Sequence, residues 1–238
     1  MTHPTVQQRK EGLSPGTIVL ILVLVGSIIA GTIMVAILAT RRSRVNDVDS
    51  AAMQNDAALR EALAAMTIPD FQLSDQTGAI VDRSIFEGHW TVLEFMFSAC
   101  VTACPVMKGN LFTIQQDLGD APVNFVSITV DPEHDTPEHL AAYSDRFGVA
   151  DDKWRFLTGD IGTIIAICEG GLGFGVTVDD SLTITRPDGD TMSNIMHPSR
   201  FFVISPDVMV VGMYDGLDRE DSLRMARDLK RLVRSDSY

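Results

Sequence analysis

The chain has 238 residues, with 19 basic and 32 acidic side chains and a net charge of −13. A surface that acidic repels phosphate backbones, which argues against nucleic-acid binding. Hydrophobic residues make up 45% and charged residues 21%, which excludes wholesale disorder; three cysteines are too few for a disulfide scaffold but enough for a redox pair or a small metal site.

The first element is apolar. No charged residue lies between Gly12 and Thr40, and Thr17–Thr40 is nearly all hydrophobic. As a helix it would span about 36 Å, enough to cross a bilayer with some tilt. A cleaved signal peptide is the competing reading. The run is longer than the usual core of about 7–15 residues, and no small-x-small cleavage site follows it. Arg9 and Lys10 precede the run, and Arg41, Arg42 and Arg44 follow it. The charge rule alone leaves orientation open, because long domains translocate largely regardless of flanking charge. Residues 1–16 are thus a tail, 17–40 a transmembrane helix, 41–66 an Ala-rich helical linker and 67–238 the folded domain. The first 40 residues contain Arg9, Lys10 and Glu11, so all the net acidity belongs to the remainder.

The domain mixes strands and helices. Phe71–Val81 reads as a hairpin-like opening around the turn at Asp75–Gly78, and Trp90–Phe97 as a buried central strand. A helix is expected over Val106–Leu118 and a second buried strand over Asn124–Val130. Thr136-Pro137 begins another helix, with Thr as cap and Pro at the first helical position, ending at Gly148. Trp154–Leu157 is a short strand, and Ile161–Cys168 a helix stopped by Gly170-Gly171. Phe201–Ile204 and Val208–Tyr214 flank Ser205-Pro206-Asp207 as a hairpin. Asp218–Val233 is an amphipathic helix. The order β–α–β–α–β–α–β–β–α predicts an α/β fold: a mixed central sheet with helices on both faces.

The sharpest motif is Cys100-Val101-Thr102-Ala103-Cys104-Pro105, between the first buried strand and its helix. Spacing of four puts two thiols on one helix face, where they can meet one ion or each other. A helix N-terminus favours thiolate. Two thiolates form a soft site that suits Cu(I) or Zn(II). A plain structural disulfide and a pair of inert thiols remain the bland alternatives. Cys168, in an apolar helix, reads as a buried small hydrophobe. His89, His134 and His139 lie in polar turns or at a helix start and read as solvated.

These residues, taken with Val126–Pro132, Asp135–Glu138, Trp154–Gly159 and His197–Asp207, resemble the SCO/SenC family of membrane-anchored, thioredoxin-like copper proteins of cytochrome c oxidase assembly. The resemblance covers about residues 67–235. It implies a thioredoxin-like fold and copper, as Cu(I) or Cu(II), on Cys100, Cys104 and His197, with Cys100 and Cys104 also able to form a redox-active disulfide. It implies a cytochrome c oxidase subunit, or another copper-site client, as partner. A single-pass location in a bacterial inner membrane, with the domain in the periplasm, follows from that chemistry. The chain departs from the family in lacking Pro and an acidic residue between the cysteines, and in carrying Met196 where Asp often precedes the histidine. A thiol–disulfide oxidoreductase that reduces a client's cysteines is the alternative, and a peroxidase on the same fold a third reading. Met107, Met192 and Met196 lie close to these ligands in sequence and read as packing before they read as copper contacts.

Overall fold

A computed structural model of the chain describes Met34 and residues 57–101, 103–146, 153–186 and 189–235. The chain divides into the compact units Met1–Ala58 and Leu59–Tyr238. The expected membrane span at Thr17–Thr40, the tail before it and the start of the linker lie outside the described residues, apart from Met34, which is helical and exposed. Among the described residues no helix is long and apolar enough to cross a membrane.

Residues 57–65 are helical (α1), and Leu63 is buried against the core. The strands β1 (Gln72–Asp75) and β2 (Ile80–Asp82) form the opening hairpin, followed by a 3-10 turn at Arg83–Phe86. Three βα steps follow: β3 (Trp90–Met96), α2 (Ala103–Leu118), β4 (Val123–Thr129), α3 (Pro137–Arg146), β5 (Trp154–Thr158) and α4 (Ile161–Ile165), which runs on as a π-helical turn, Ala166–Gly171. The chain finishes with β6 (Thr177–Thr185), β7 (Thr191–Met196), β8 (Arg200–Ile204), β9 (Val210–Asp215) and α5 (Arg219–Ser235).

Seven strands form one sheet in the order β2-β1-β5-β4-β3-β8-β9. The central β3, β4 and β5 are parallel, and β1 and β8 flank them antiparallel. All seven residues of β3 are buried, because both sheet faces are covered. The register places Glu94, Ser127 and Phe156 side by side on one face. There Lys108 of α2 bonds Glu94 and Ser127, Tyr143 of α3 stands edge-on to Phe156, and α5 packs beside α2. On the other face Phe174, just past the π-helical turn, stands edge-on to Phe202 of β8. Helices therefore cover both faces, as the sequence pattern predicts. Each Phe or Leu fully buried in this core stabilises the fold by about 1.5–3 kcal/mol.

Three local differences from the sequence expectation bear on the site. The helix after the cysteines begins at Ala103 rather than Val106, since Pro105 fits a first turn, where its missing N–H is no loss. Cys104 is thereby part of α2. The segment expected as a helix over Ile161–Cys168 leaves α-geometry after Ile165 and widens into the π-helical turn. Between that turn and β8 the sequence pattern gives no strands, yet β6 and β7 form a separate two-stranded antiparallel sheet. Almost every position of β6 is exposed or half-exposed, Ile184 being its one buried residue, so no inner face exists for an alternation to record. This arm leads directly into His197.

Candidate metal centre

The centre sits where β3 ends. Phe97 is buried, and the Cys100 N–H donates to its carbonyl at 3.2 Å, closing a turn into α2. The Cys104 N–H donates to Cys100 Sγ at 3.4 Å, so the backbone at the start of α2 orients that sulfur. Cys100 is 8% and Cys104 2% exposed, and no disulfide joins them. The helix start does not by itself settle the ionisation of Cys104. A hydrogen bond with the Cys100 thiol, then burial, push the Cys104 pKa far above the ordinary thiol value. Cys104 therefore rests protonated, and losing that proton is part of taking up a metal.

His197 comes from the far side of the arm. Its Nε2 lies 3.6 Å from Cys104 Sγ, and its ring stands edge-on to Phe97 at 5.8 Å between centroids. Nδ1 lies 3.3 Å from the Pro198 carbonyl. With Nδ1–H as donor to that carbonyl, Nε2 presents its lone pair to the sulfur, the tautomer a metal ligand needs. A soft ion about 2.3 Å from a sulfur and about 2.0 Å from an imidazole nitrogen spaces the two atoms roughly 3.5–3.8 Å apart. The observed separation fits that span. Cys100 does not yet complete the set: among the described residues no three His, Cys, Asp or Glu side chains are already disposed to hold an ion together. Its sulfur is turned to the α2 backbone instead.

The model of the family described as SCO1/SenC matches residues 60–234. The chain belongs to the SCO1/SenC family. It is 26% identical over 165 residues to the SCO1 protein homolog of Bacillus subtilis, covering 68% of this chain and 81% of that one. It spans less than half the length of several further curated relatives, mitochondrial SCO2 homologs and rickettsial SCO2-like proteins among them. The structure is similar to that of BsSco, a member of the Sco family of cytochrome c oxidase assembly proteins in which a disulfide switch was identified (25% identity, TM-score 0.57, 71% of this chain and 94% of that one). It also has the fold of Bradyrhizobium japonicum ScoI solved with copper bound, at 24% identity and a TM-score of 0.55 over 69% of this chain and 98% of that one.

Of the other residues singled out in this SCO1/SenC sequence, Cys168 is fully buried, and burial raises its pKa to about 12. Met107 is core packing, whereas Met196, beside His197, is 53% exposed. His89 is exposed and takes no part in the site. His139 and His134 are exposed to solvent, as expected, and each also has a polar partner. His139 Nε2 lies 3.0 Å from Ser98 Oγ, and His134 Nδ1 lies 2.8 Å from Asp131 Oδ1.

Two features of the surroundings escaped sequence reading. The first is Asp135, which is fully buried at the start of α3. It accepts from the Ser98 N–H at 3.0 Å, from the Ser98 hydroxyl and from the Thr129 hydroxyl, and so fixes the chain two residues before Cys100. A carboxylate thus lies next to the cysteine loop although none lies within it. The second is an ion pair under α2. Lys108 meets Glu94, both are almost wholly buried, and the ammonium sits over the rings of Trp154 and Phe156 at 5.1 and 4.7 Å. Ser127 Oγ donates to Glu94 Oε1 at 2.7 Å and accepts from Lys108 and from Trp154 Nε1, each at 2.9 Å. The signals were a lone Glu in the run WTVLEFMF and a Lys four residues after Cys104.

Proposed function

We propose that this SCO1/SenC chain carries copper as cargo on Cys100, Cys104 and His197 and hands it to a copper-site client, a cytochrome c oxidase subunit. It does so as a single-pass protein anchored by Thr17–Thr40 in a bacterial inner membrane, with residues 67–238 in the periplasm. The observation that carries the reading is the imidazole nitrogen of His197 standing 3.6 Å from the Cys104 sulfur, although 93 residues separate them in sequence. Two thiols and one imidazole are a soft donor set that favours copper over hard cations. A relative among the cytochrome c oxidase assembly proteins and a copper-bound structure of the same fold support the same reading.

Loading replaces two S–H bonds by two Cu–S bonds. One Cu(I) enters, two protons leave, and His197 Nε2 adds its lone pair. Cys100 turns from the Cys104 N–H to the ion in the same step. Few ligands make release simple, because a client thiolate or imidazole can bind before a donor on this chain departs. The acidic surface keeps the domain off anionic lipid, so the helix is its only tether.

The test is Cu(I) titration of the reduced full-length protein by competition with a chelator. Cys100→Ser, Cys104→Ser and His197→Ala should each weaken binding by at least about tenfold, the lower bound for losing even an outer partner of a metal site. Full affinity after the histidine change would remove His197 from the set.

A second reading is favoured by one observation: the two cysteine side chains are adjacent and not joined by a disulfide, and one solved relative has a disulfide switch. Here the Cys100 thiolate attacks a client disulfide, the client's leaving sulfur takes a proton, and Cys104 then displaces the client's second thiol, leaving this pair oxidised. That activity needs no imidazole. A dithiol-reductase assay unaffected by His197→Ala, in a protein whose copper affinity that change leaves intact, would select it.

A further inference from the structure

We propose that Arg186 is the positioning residue for His197: its guanidinium latches the β6–β7 arm onto the β4–α3 loop and thereby holds the imidazole over the dithiol. The inference rests on the copper set proposed above.

The arm needs a fastening. Neither of its strands pairs with the seven-stranded sheet, and Ile184 is the deeply buried apolar residue it offers the core. A two-stranded ribbon on its own is marginal in water. His197 follows the last residue of β7 directly, so wherever the arm goes the imidazole follows.

Arg186 supplies the fastening. It closes β6, where its N–H donates to the Asp190 carbonyl at 2.8 Å and its carbonyl accepts from Gly189 at 3.0 Å. Its side chain is 9% exposed, although it carries a permanent charge. Nη2 lies 3.3 Å from Asp131 Oδ2, 2.8 Å from His134 Nδ1 and 3.1 Å from Met192 Sδ. Met192 is the cross-strand partner of Ile184, so the guanidinium grips both strands of the arm at once. The loop it grips is the one that fixes the cysteines. The Asp131 N–H donates to Thr129 Oγ1 at 3.0 Å, Thr129 donates to Asp135, and Asp135 holds Ser98 two residues before Cys100. One loop therefore references both halves of the metal centre.

The chemistry is that of register rather than adhesion. A methionine or leucine would bind the arm with no charge to desolvate. A buried guanidinium bears that cost, and its Nε has no hydrogen-bond partner. Buried ion pairs contribute little net stability, and their best-attested use is to select one arrangement among several apolar alternatives. The planar fork of an arginine suits that use.

If the arm exists as docked and undocked forms, the apparent copper affinity scales with the docked fraction. A fall of that fraction to a tenth weakens copper binding about tenfold. The dithiol/disulfide couple meets the arm through the contact of His197 Nε2 with Cys104 Sγ, so undocking should shift its potential no further than loss of the imidazole does.

The experiment uses the full-length protein with Arg186→Gln, Arg186→Lys, Asp131→Asn, His197→Ala and the Arg186→Gln/His197→Ala double variant. Each is measured for Cu(I) affinity, for dithiol reduction potential and for thermal midpoint. We expect Arg186→Gln and Asp131→Asn to weaken copper binding about tenfold, and Arg186→Lys to weaken it less. The reduction potential of each arm variant should shift no further than that of His197→Ala. In the His197→Ala background Arg186→Gln should add no further loss, since it acts through the imidazole. An unchanged affinity, an equal loss in both backgrounds, or a reduction potential that shifts further than in His197→Ala would each overturn the latch. If His197→Ala itself binds copper as wild type does, the copper set fails first, and that result is distinct from wild-type affinity in Arg186→Gln alone.

Discussion

The two halves of the proposed metal centre are built to different standards. Cys104 belongs to α2, and Cys100 lies in the turn that joins the buried strand β3 to it. His197 rides at the end of a two-stranded arm whose residues are mostly in water and whose docking falls to a few side chains. One half is a rigid anvil; the other is brought to it. A carrier that must bind an ion and then surrender it gains from that division. The backbone that carries the cysteines keeps its geometry while the imidazole comes and goes, and release would need only a local opening rather than disruption of the core.

The largest effect should come from attacking the rigid half from below. Lys108→Met leaves the Glu94 carboxylate buried under α2 without its cation, while one of its oxygens already has no hydrogen-bond partner. Removing one member of a buried pair costs about 3–5 kcal/mol. Replacing both, as Lys108→Met with Glu94→Leu, should return most of that loss. Urea unfolding of the four proteins of this cycle gives the coupling directly. Should Lys108→Met unfold at the wild-type midpoint, the foundation beneath the cysteines is not this ion pair.

What could be read from the sequence follows the same division. β3 and β4 are apolar on both faces, so their buried runs announce a covered parallel sheet, and Thr136-Pro137 caps α3 as expected, with the His139 N–H on Thr136 Oγ1 at 3.3 Å. The cysteine pair declares itself by spacing. His197 does not: its partner lies 93 residues away, and only the likeness to a family singled it out. The arm was illegible because a ribbon exposed on both faces has no hydrophobic period. Asp135, Glu94 and Lys108 were overlooked because a buried charge reads as a surface charge until the residue that neutralises it is known. Their partners lie 37 residues away for Asp135 and Ser98, and 14 for Lys108 and Glu94.

The seam between the halves offers a smaller test. Phe97 belongs to the rigid side and touches the mobile one, its ring standing at 86° to that of His197. An edge-on aromatic contact contributes about 0.5–1.5 kcal/mol beyond its area. Phe97→Leu keeps an apolar filler but removes the ring. It should weaken Cu(I) binding by roughly two- to tenfold, within the range that energy allows, and should leave the dithiol reduction potential alone. The same loss in a His197→Ala background would place the effect on the cysteine side instead and erase the seam.

The smallest effect separates the rigid half from its own third cysteine. Cys168 lies in the π-helical turn after α4, is fully buried, and is pushed up to about 12 by desolvation of its thiolate, against 9.0 for an ordinary thiol. Between those two values the folded chain keeps a proton that the unfolded chain has lost. The folded state then binds more protons, so stability is intact below about pH 9 and falls as pH rises toward 12. The slope from one such thiol is at most about 1.4 kcal/mol per pH unit, and less wherever solvent screens the sulfur. Cys168→Ala should flatten the alkaline limb of the apo protein's stability curve without touching Cu(I) affinity at neutral pH. Cys104, Tyr143 and Tyr214 are raised in the same direction, so part of the slope should survive the substitution, and copper, by displacing the Cys104 proton, should remove only the share of Cys104. Parallel alkaline limbs for wild type and Cys168→Ala would mean that the thiol of Cys168 ionises as freely in the fold as out of it.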